Sequence, residues 1–144
     1  DMIIGLHHLG LTVADVERSA RWYEDVLEFR RVGGLGDATS ERRKVFLRHA
    51  GLRLRLGLVE HRSSSARPFD ETETGLDHLA FEVPSRDDLE QWARRLDELK
   101  VPCSPVADSH SIPGAAVLVF RDPDNIQLEL FVDPTDPAER AAFT

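Results

Sequence analysis

At 144 residues the chain is long enough for one ordinary domain with one real core, and two half-size modules would also fit. Hydrophobic residues make up 41% and charged residues 31%, a globular composition rather than a disordered one. Against 26 Asp and Glu stand 18 Lys and Arg, and the resulting net charge of −8 argues against a nucleic-acid partner.

No apolar run approaches the roughly 18 residues of a membrane helix. The longest, Ala115 to Phe120, has strand length. The stretch Asp1 to Leu6 lacks a basic start followed by an apolar run, so no signal peptide and no membrane partner are expected, and the chain reads as cytoplasmic. A single cysteine, Cys103, excludes an internal disulfide and a Cys-rich zinc site.

The chain repeats itself. His8-Leu9-Gly10-Leu11-Thr12-Val13 aligns with His78-Leu79-Ala80-Phe81-Glu82-Val83, and the same register places Trp22 on Trp92. In the first copy period-2 alternation puts Leu9, Leu11 and Val13 on one face and His8, Gly10 and Thr12 on the other. Asp15 is a candidate N-cap, and Val16, Ala20, Tyr23 and Leu27 form one helical stripe. Gly33 to Arg43 reads as a loop, followed by strands at Lys44 to Arg48 and Leu52 to Val59. Residues 61–74 read as a linker.

The second copy follows the same order. Pro84 ends its first strand, Ser85 with Asp88 resembles a capping box, and Leu89, Trp92, Leu96 and Leu99 form the stripe. Ala115 to Phe120 and Ile126 to Val132 flank Asp122-Pro123-Asp124-Asn125, strong turn chemistry, so they read as a hairpin. The resulting organisation is a single domain over 1–144: module one about 3–60, linker 61–74, module two about 75–132 and a C-terminal tail 133–144 that wraps the surface. The class is α+β, with helices covering one face of a largely antiparallel sheet.

The face away from the helices carries His8 in the first copy and His78 at the equivalent place in the second. In Ile126-Gln127-Leu128-Glu129-Leu130-Phe131, Leu128 and Leu130 take the helix face, so Gln127 and Glu129 point the other way. A carboxylate amid apolar residues is costly unless paired or bound to a cation. Two histidines and one carboxylate leave several positions of a metal ion open to substrate. By the same alternation Arg55 and Gln127 are candidates for substrate binding, and a guanidinium there suits an anionic oxygen. Catalytic residues are not identified; His110, in the loop Asp108 to Gly114, and Glu82 are weak candidates. His7 reads as structural, His49 as solvent-exposed and Cys103 as inert.

His8-Leu9-Gly10-Leu11-Thr12-Val13, a helix with Trp22-Tyr23 and Val26-Leu27, and Asp122-Pro123-Asp124-Asn125 leading into Leu128-Glu129-Leu130 together resemble the vicinal oxygen chelate superfamily. That group includes glyoxalase I, methylmalonyl-CoA epimerase, extradiol dioxygenases, fosfomycin-resistance transferases and bleomycin-binding proteins. The resemblance covers about residues 3 to 132. It implies two paired βαβββ modules forming a cup-shaped, largely antiparallel sheet with helices on the outer face. It implies metal ligands at His8, His78 and Glu129, holding one divalent ion, Fe2+, Mn2+, Ni2+ or Zn2+ without distinction. It also implies a homodimer and a small-molecule substrate presenting adjacent oxygens.

Glyoxalase-type members add a fourth ligand, and alignment of Leu54-Arg55-Leu56-Gly57-Leu58 with Ile126-Gln127-Leu128-Glu129-Leu130 puts Gly57 there. Glycine has no side chain to ligate with, which favours a three-residue site; Glu60 nearby faces the other side. Fosfomycin-type members carry a Thr two residues after the first histidine, where this chain has Gly10, and a cationic cluster that does not show along the sequence. The only tyrosine, Tyr23, lies on the helix stripe, which counts against a standard extradiol enzyme. The expected function is a metal-dependent lyase, isomerase or ring-cleaving dioxygenase. The alternative is a metal-free bleomycin-resistance-type protein that sequesters an antibiotic or other hydrophobic ligand.

Overall fold

Local pattern and pairing in the computed structural model, which describes residues 2–141, produce the same supersecondary unit twice. The chain divides into two compact units. Unit 1 holds the residues up to Phe69 together with the turn Asp122–Asn125, and unit 2 holds Asp70–Arg121 and the residues from Ile126 onward.

Unit 1 runs β1 (His8–Thr12), α1 (Val16–Leu27), β2 (Arg30–Leu35), β3 (Arg42–Arg48) and β4 (Arg55–His61). Its four-stranded sheet has the order β1-β4-β3-β2, with β1 parallel to β4 and the other pairs antiparallel. Helix α1 starts where Asp15 accepts the Arg18 N–H at 3.0 Å, and Glu60 of β4 accepts the Val16 N–H at 2.9 Å. Both carboxylates satisfy N–H groups that the first helical turn leaves free. The expected stripe is buried: Val16, Ala20 and Tyr23 are 0% exposed and Leu27 is 3% exposed.

Two boundaries differ from the sequence reading. Gly33 to Arg43 is not all loop, because Arg30–Leu35 forms the edge strand β2 and the strand β3 begins at Arg42. Gly33 and Gly34 suggest a loop on propensity, yet ladder hydrogen bonds to β3 override it. Gly34 is needed there, since a Cβ would lie 2.8 Å from the Lys44 carbonyl oxygen. Strand β4 begins at Arg55 rather than Leu52, because the Leu52 N–H closes a turn on the His49 carbonyl at 3.0 Å. His49 is half-buried rather than exposed; it accepts the Gly51 N–H and packs edge-on against Phe29.

Unit 2 runs β5 (Leu79–Glu82), α2 (Arg86–Glu98), β6 (Ala107–Asp108), β7 (Ala116–Arg121), β8 (Gln127–Val132) and α3 (Pro137–Ala141). The sheet order β5-β8-β7-β6 repeats unit 1, with β5 parallel to β8 and the β7–β8 hairpin antiparallel. Half of the capping box at α2 forms: Ser85 Oγ accepts the Asp88 N–H at 3.2 Å, while the Asp88 carboxylate accepts the Ser85 hydroxyl at 2.6 Å. Leu89 and Leu96 are buried and Trp92 is half-buried, whereas Leu99 is the C-cap and 43% exposed. The fold is therefore α+β, two βαβββ modules. No helix among the described residues is long and apolar enough to cross a membrane.

The ladders confirm the internal alignment. In unit 1 Gly10 lies opposite Gly57. In unit 2 Ala80 lies opposite Glu129. Gly57 therefore occupies in β4 the place of Glu129 in β8.

Candidate metal centre

Strands β7 and β8 bury alternate side chains, β5 half-buries Leu79 and Phe81, and the others go to the face away from α2. That face carries His78 just ahead of β5, Gln127 and Glu129 on β8, and Arg121 at the end of β7. His78 Nε2 is 3.5 Å from Glu129 Oε2, and the side chains are 42% and 14% exposed. Nδ1 of His78 donates to the Asp77 carboxylate at 2.7 Å. That bond sets the tautomer and leaves the Nε2 lone pair on the Glu129 side. Gln127 Nε2 donates to the same Glu129 oxygen at 3.1 Å. Arg121 donates to the Gln127 carbonyl oxygen at 3.2 Å and makes two bonds to Glu71 at 2.8 and 3.0 Å.

The result is a polar chain Glu71–Arg121–Gln127–Glu129–His78–Asp77 across the sheet. Sequence reading found its centre and missed Asp77, Arg121 and Glu71. Asp77 had a signal, being adjacent to the histidine; Glu71 lies in the stretch read as linker and had none.

Hydrogen bonds from Arg121, above all, and from backbone hold the Glu71 carboxyl down to about 2. A lowered folded value means that this pair stabilises the folded chain above the unfolded carboxyl value of about 4.3 and is lost as pH falls towards 2. Glu71→Gln is expected to flatten the pH dependence of thermal stability between pH 5 and 2. An unchanged acid limb would remove Glu71 from the account.

In unit 1 the corresponding face carries His8 and Arg55, which are ladder neighbours. His7 and His8 place their Nδ1 atoms 2.9 Å apart with rings edge to face. His7 is thus not on the helix side as the alternation suggests; it lies ahead of β1, exposed, against His8. Each of the two aligned histidines has its Nδ1 engaged by the residue before it, so Nε2 is the nitrogen left to bind.

Other candidates take different places. Glu82 of β5 accepts Arg140 of α3 at 3.0 Å and is exposed. His110 is exposed in the loop after β6, where its charge, after the Arg86 ion pair, helps to lower the Asp108 carboxyl. Glu60 caps α1 and so faces the helix. Tyr23 is in the core, donating to Asp122 at 2.8 Å. Burial, first, and Asp97 push the Cys103 thiol up, away from the reactive thiolate.

Among the described residues no three His, Cys, Asp or Glu side chains are gathered around one ion-sized space. His78 and Glu129 are brought together, and His8 stands in unit 1. The pair fits a shared cation. Two donors about 2.1 Å from one ion stand on the order of 3.0–3.5 Å apart at octahedral to tetrahedral angles, which includes the observed 3.5 Å. Imidazole nitrogen with carboxylate oxygen suits Fe, Mn, Ni and Zn alike.

Comparison with known proteins agrees with the duplicated fold. Residues 5–130 match the model of the Glyoxalase/Bleomycin resistance protein/Dioxygenase superfamily. This chain belongs to that superfamily. A glyoxylase/bleomycin resistance protein/dioxygenase domain from Frankia sp. EAN1pec is 33% identical, with 90% of this chain and 98% of that one covered and a TM-score of 0.79. Fosfomycin resistance protein FosX from Listeria monocytogenes, solved with Mn(II) and sulfate, is 25% identical, covering 97% and 99%, with a TM-score of 0.68. Lactoylglutathione lyase from Agrobacterium tumefaciens shares the fold at 19% identity, covering 92% and 96%, with a TM-score of 0.68. No functionally curated protein matches. The superfamily thus includes metalloenzymes.

Proposed function

We propose that the chain is a divalent-metal-dependent enzyme acting on a small substrate with adjacent oxygens, as a lyase, isomerase or ring-cleaving dioxygenase. His78 and Glu129 are two of the ligands and His8 is the third. The observation that carries this reading is the His78–Glu129 pair at 3.5 Å, with Asp77 holding the far nitrogen of the imidazole. A divalent ion, when bound, polarises two neighbouring substrate oxygens and makes the adjoining carbon acid stronger. Gln127 keeps the Glu129 carboxylate oriented, and Arg121 in turn holds Gln127. Glu82 and His110 are the side chains proposed to move a proton; engagement with Arg140 makes Glu82 the weaker of the two. Family analogy supports a homodimer.

Metal counted per chain in untagged protein purified without chelator tests the reading. About one Fe, Mn, Ni or Zn per chain is expected. No metal, and none taken up on titration, would leave the ligand-sequestering alternative.

Asp77 is a positioning residue. Asp77→Asn is expected to weaken metal affinity by about 10–100-fold, read by competition with a chromophoric chelator. Unchanged affinity would show that the imidazole needs no such support.

A further inference from the structure

The cations of unit 1 divide by sheet face. On the α1 side Arg31 and Arg43 pair with Glu17 at 3.0 and 2.9 Å, and Arg31 also reaches Glu24. On the opposite side alternation places Arg30, Arg42, Lys44, Arg48 and Arg55, with no acidic strand residue among them. None of these five has a carboxylate partner among the described residues.

Strand register turns three of them into a row. Arg30 lies opposite Arg48, and Arg55 lies opposite His8. Leu47 opposite Leu56 sets Arg48 beside Arg55 one step further along. The row Arg30–Arg48–Arg55–His8 crosses all four strands, about 14 Å at an interstrand spacing near 4.8 Å. Like charges facing each other across a sheet are destabilising. A chain with 26 acidic residues and a net charge of −8 leaves this row unneutralised.

The neighbouring row is Gly33–Phe46–Gly57–Gly10. A Cβ at Gly10 would meet nothing within 4 Å, and at Gly33 and Gly57 it would make only ordinary contacts. Crowding therefore does not require these glycines, although interior glycine weakens a strand and often marks close approach of a ligand. Phe46 is the one residue of this second row with a side chain, a phenyl ring next to the arginines. At the β2 end of the row a cavity of about 390 Å³ is lined by Arg30, Arg48, His49, Val32 and Leu52 and by one carboxylate, Glu28. Arg30, Arg48 and Arg55, far apart along the sequence, are thus brought side by side from three strands.

We infer that the row Arg30–Arg48–Arg55 binds the oxyanion, carboxylate or phosphate, of a small anionic substrate whose uncharged part lies over Phe46 and Gly10. Guanidinium forks match both oxyanions in two-point contacts. This names a substrate class for the function proposed above, and rests on it for taking the His8 face as the substrate face.

The test titrates inorganic phosphate and, separately, succinate into the chelator-treated full chain by calorimetry. Saturable, salt-sensitive binding of one anion per chain is expected, and the tighter of the two identifies the oxyanion. Arg48→Ala and Arg55→Ala are each expected to weaken it by about 10-fold or more. Arg21→Ala on α1 should leave it unchanged. Both row variants should keep or raise the thermal midpoint, because like-charge repulsion is relieved. Absence of saturable binding, or its persistence in the Arg48→Ala/Arg55→Ala double variant, overturns the inference. So does displacement of both small anions by a much tighter single-stranded oligonucleotide. Anion binding in protein that takes up no metal would sink the metal reading alone; metal uptake without anion binding would sink this one alone.

Discussion

Asp122→Ala is expected to destabilise the folded chain by about 2–3 kcal/mol, measured by urea denaturation. Asp122 is 5% exposed, and Tyr23, 0% exposed, donates its hydroxyl to it at 2.8 Å. The other carboxylate oxygen accepts the Asp124 N–H at 2.9 Å. Alanine leaves the buried phenol without this acceptor, which costs the desolvation of that group as well as the bond. It also loosens a turn that is knitted into unit 1. Asp124 accepts the Ala14 N–H, Ser19 Oγ and Arg18 Nη2 at 3.1, 3.2 and 3.1 Å, and its carbonyl accepts the Phe69 N–H at 2.7 Å. Tyr23→Phe is expected to cost less, since it removes the polar group that needs the partner. In the double variant the two effects should fall short of their sum, and strict additivity would show that the pair is not coupled. Burial, and then Asp122, raise the Tyr23 phenol well above 10. A raised folded value means that this stabilisation is complete below about pH 10 and is lost as pH climbs beyond it. Native protein should therefore unfold more steeply than Tyr23→Phe on the alkaline side.

His78→Ala is expected to abolish measurable metal uptake while leaving the far-UV spectrum and unfolding midpoint close to native. The imidazole is 42% exposed on the open face of the sheet and fills no core space, so its loss creates no cavity. Removal of a residue that merely orients a ligand costs about 10–100-fold in affinity, and removal of the ligand itself costs more. Glu129→Gln should behave alike, because an amide supplies no charge to the ion. Full occupancy in both variants would show that the metal, if present, is held elsewhere. Retained occupancy in His8→Ala alone would remove the third ligand and leave the β5–β8 pair standing.

Much of this was legible in the chain. Period-2 and 3.6-residue patterns are local, so β1, α1, β5, α2 and the β7–β8 hairpin can be read from spacing alone. The two aligned histidines and Glu129 follow from alternation, and the β8 burial pattern bears out the face assigned to Glu129. The edge strand β2 was not legible, because its glycines contradict its state and only the ladder to β3 supplies the reason. The turn Asp122–Asn125 reads correctly as a turn, but nothing local says that its carboxylates serve Tyr23, Ser19 and the start of α1, about a hundred residues earlier.

The amino-acid sequence by itself determined the duplicated α+β plan, which rests on short-range periodicity and one repeat register, while the superfamily and the candidate ligands it implies rest on the resemblance of motifs along the chain. Only the tertiary structure decided which side chains share a site. The distance between His78 and Glu129 depends on the parallel pairing of β5 with β8, and the arginine row depends on the register of four strands at once. Hydrogen-bonded ladders between strands far apart in the chain set those neighbours, and no local pattern encodes them.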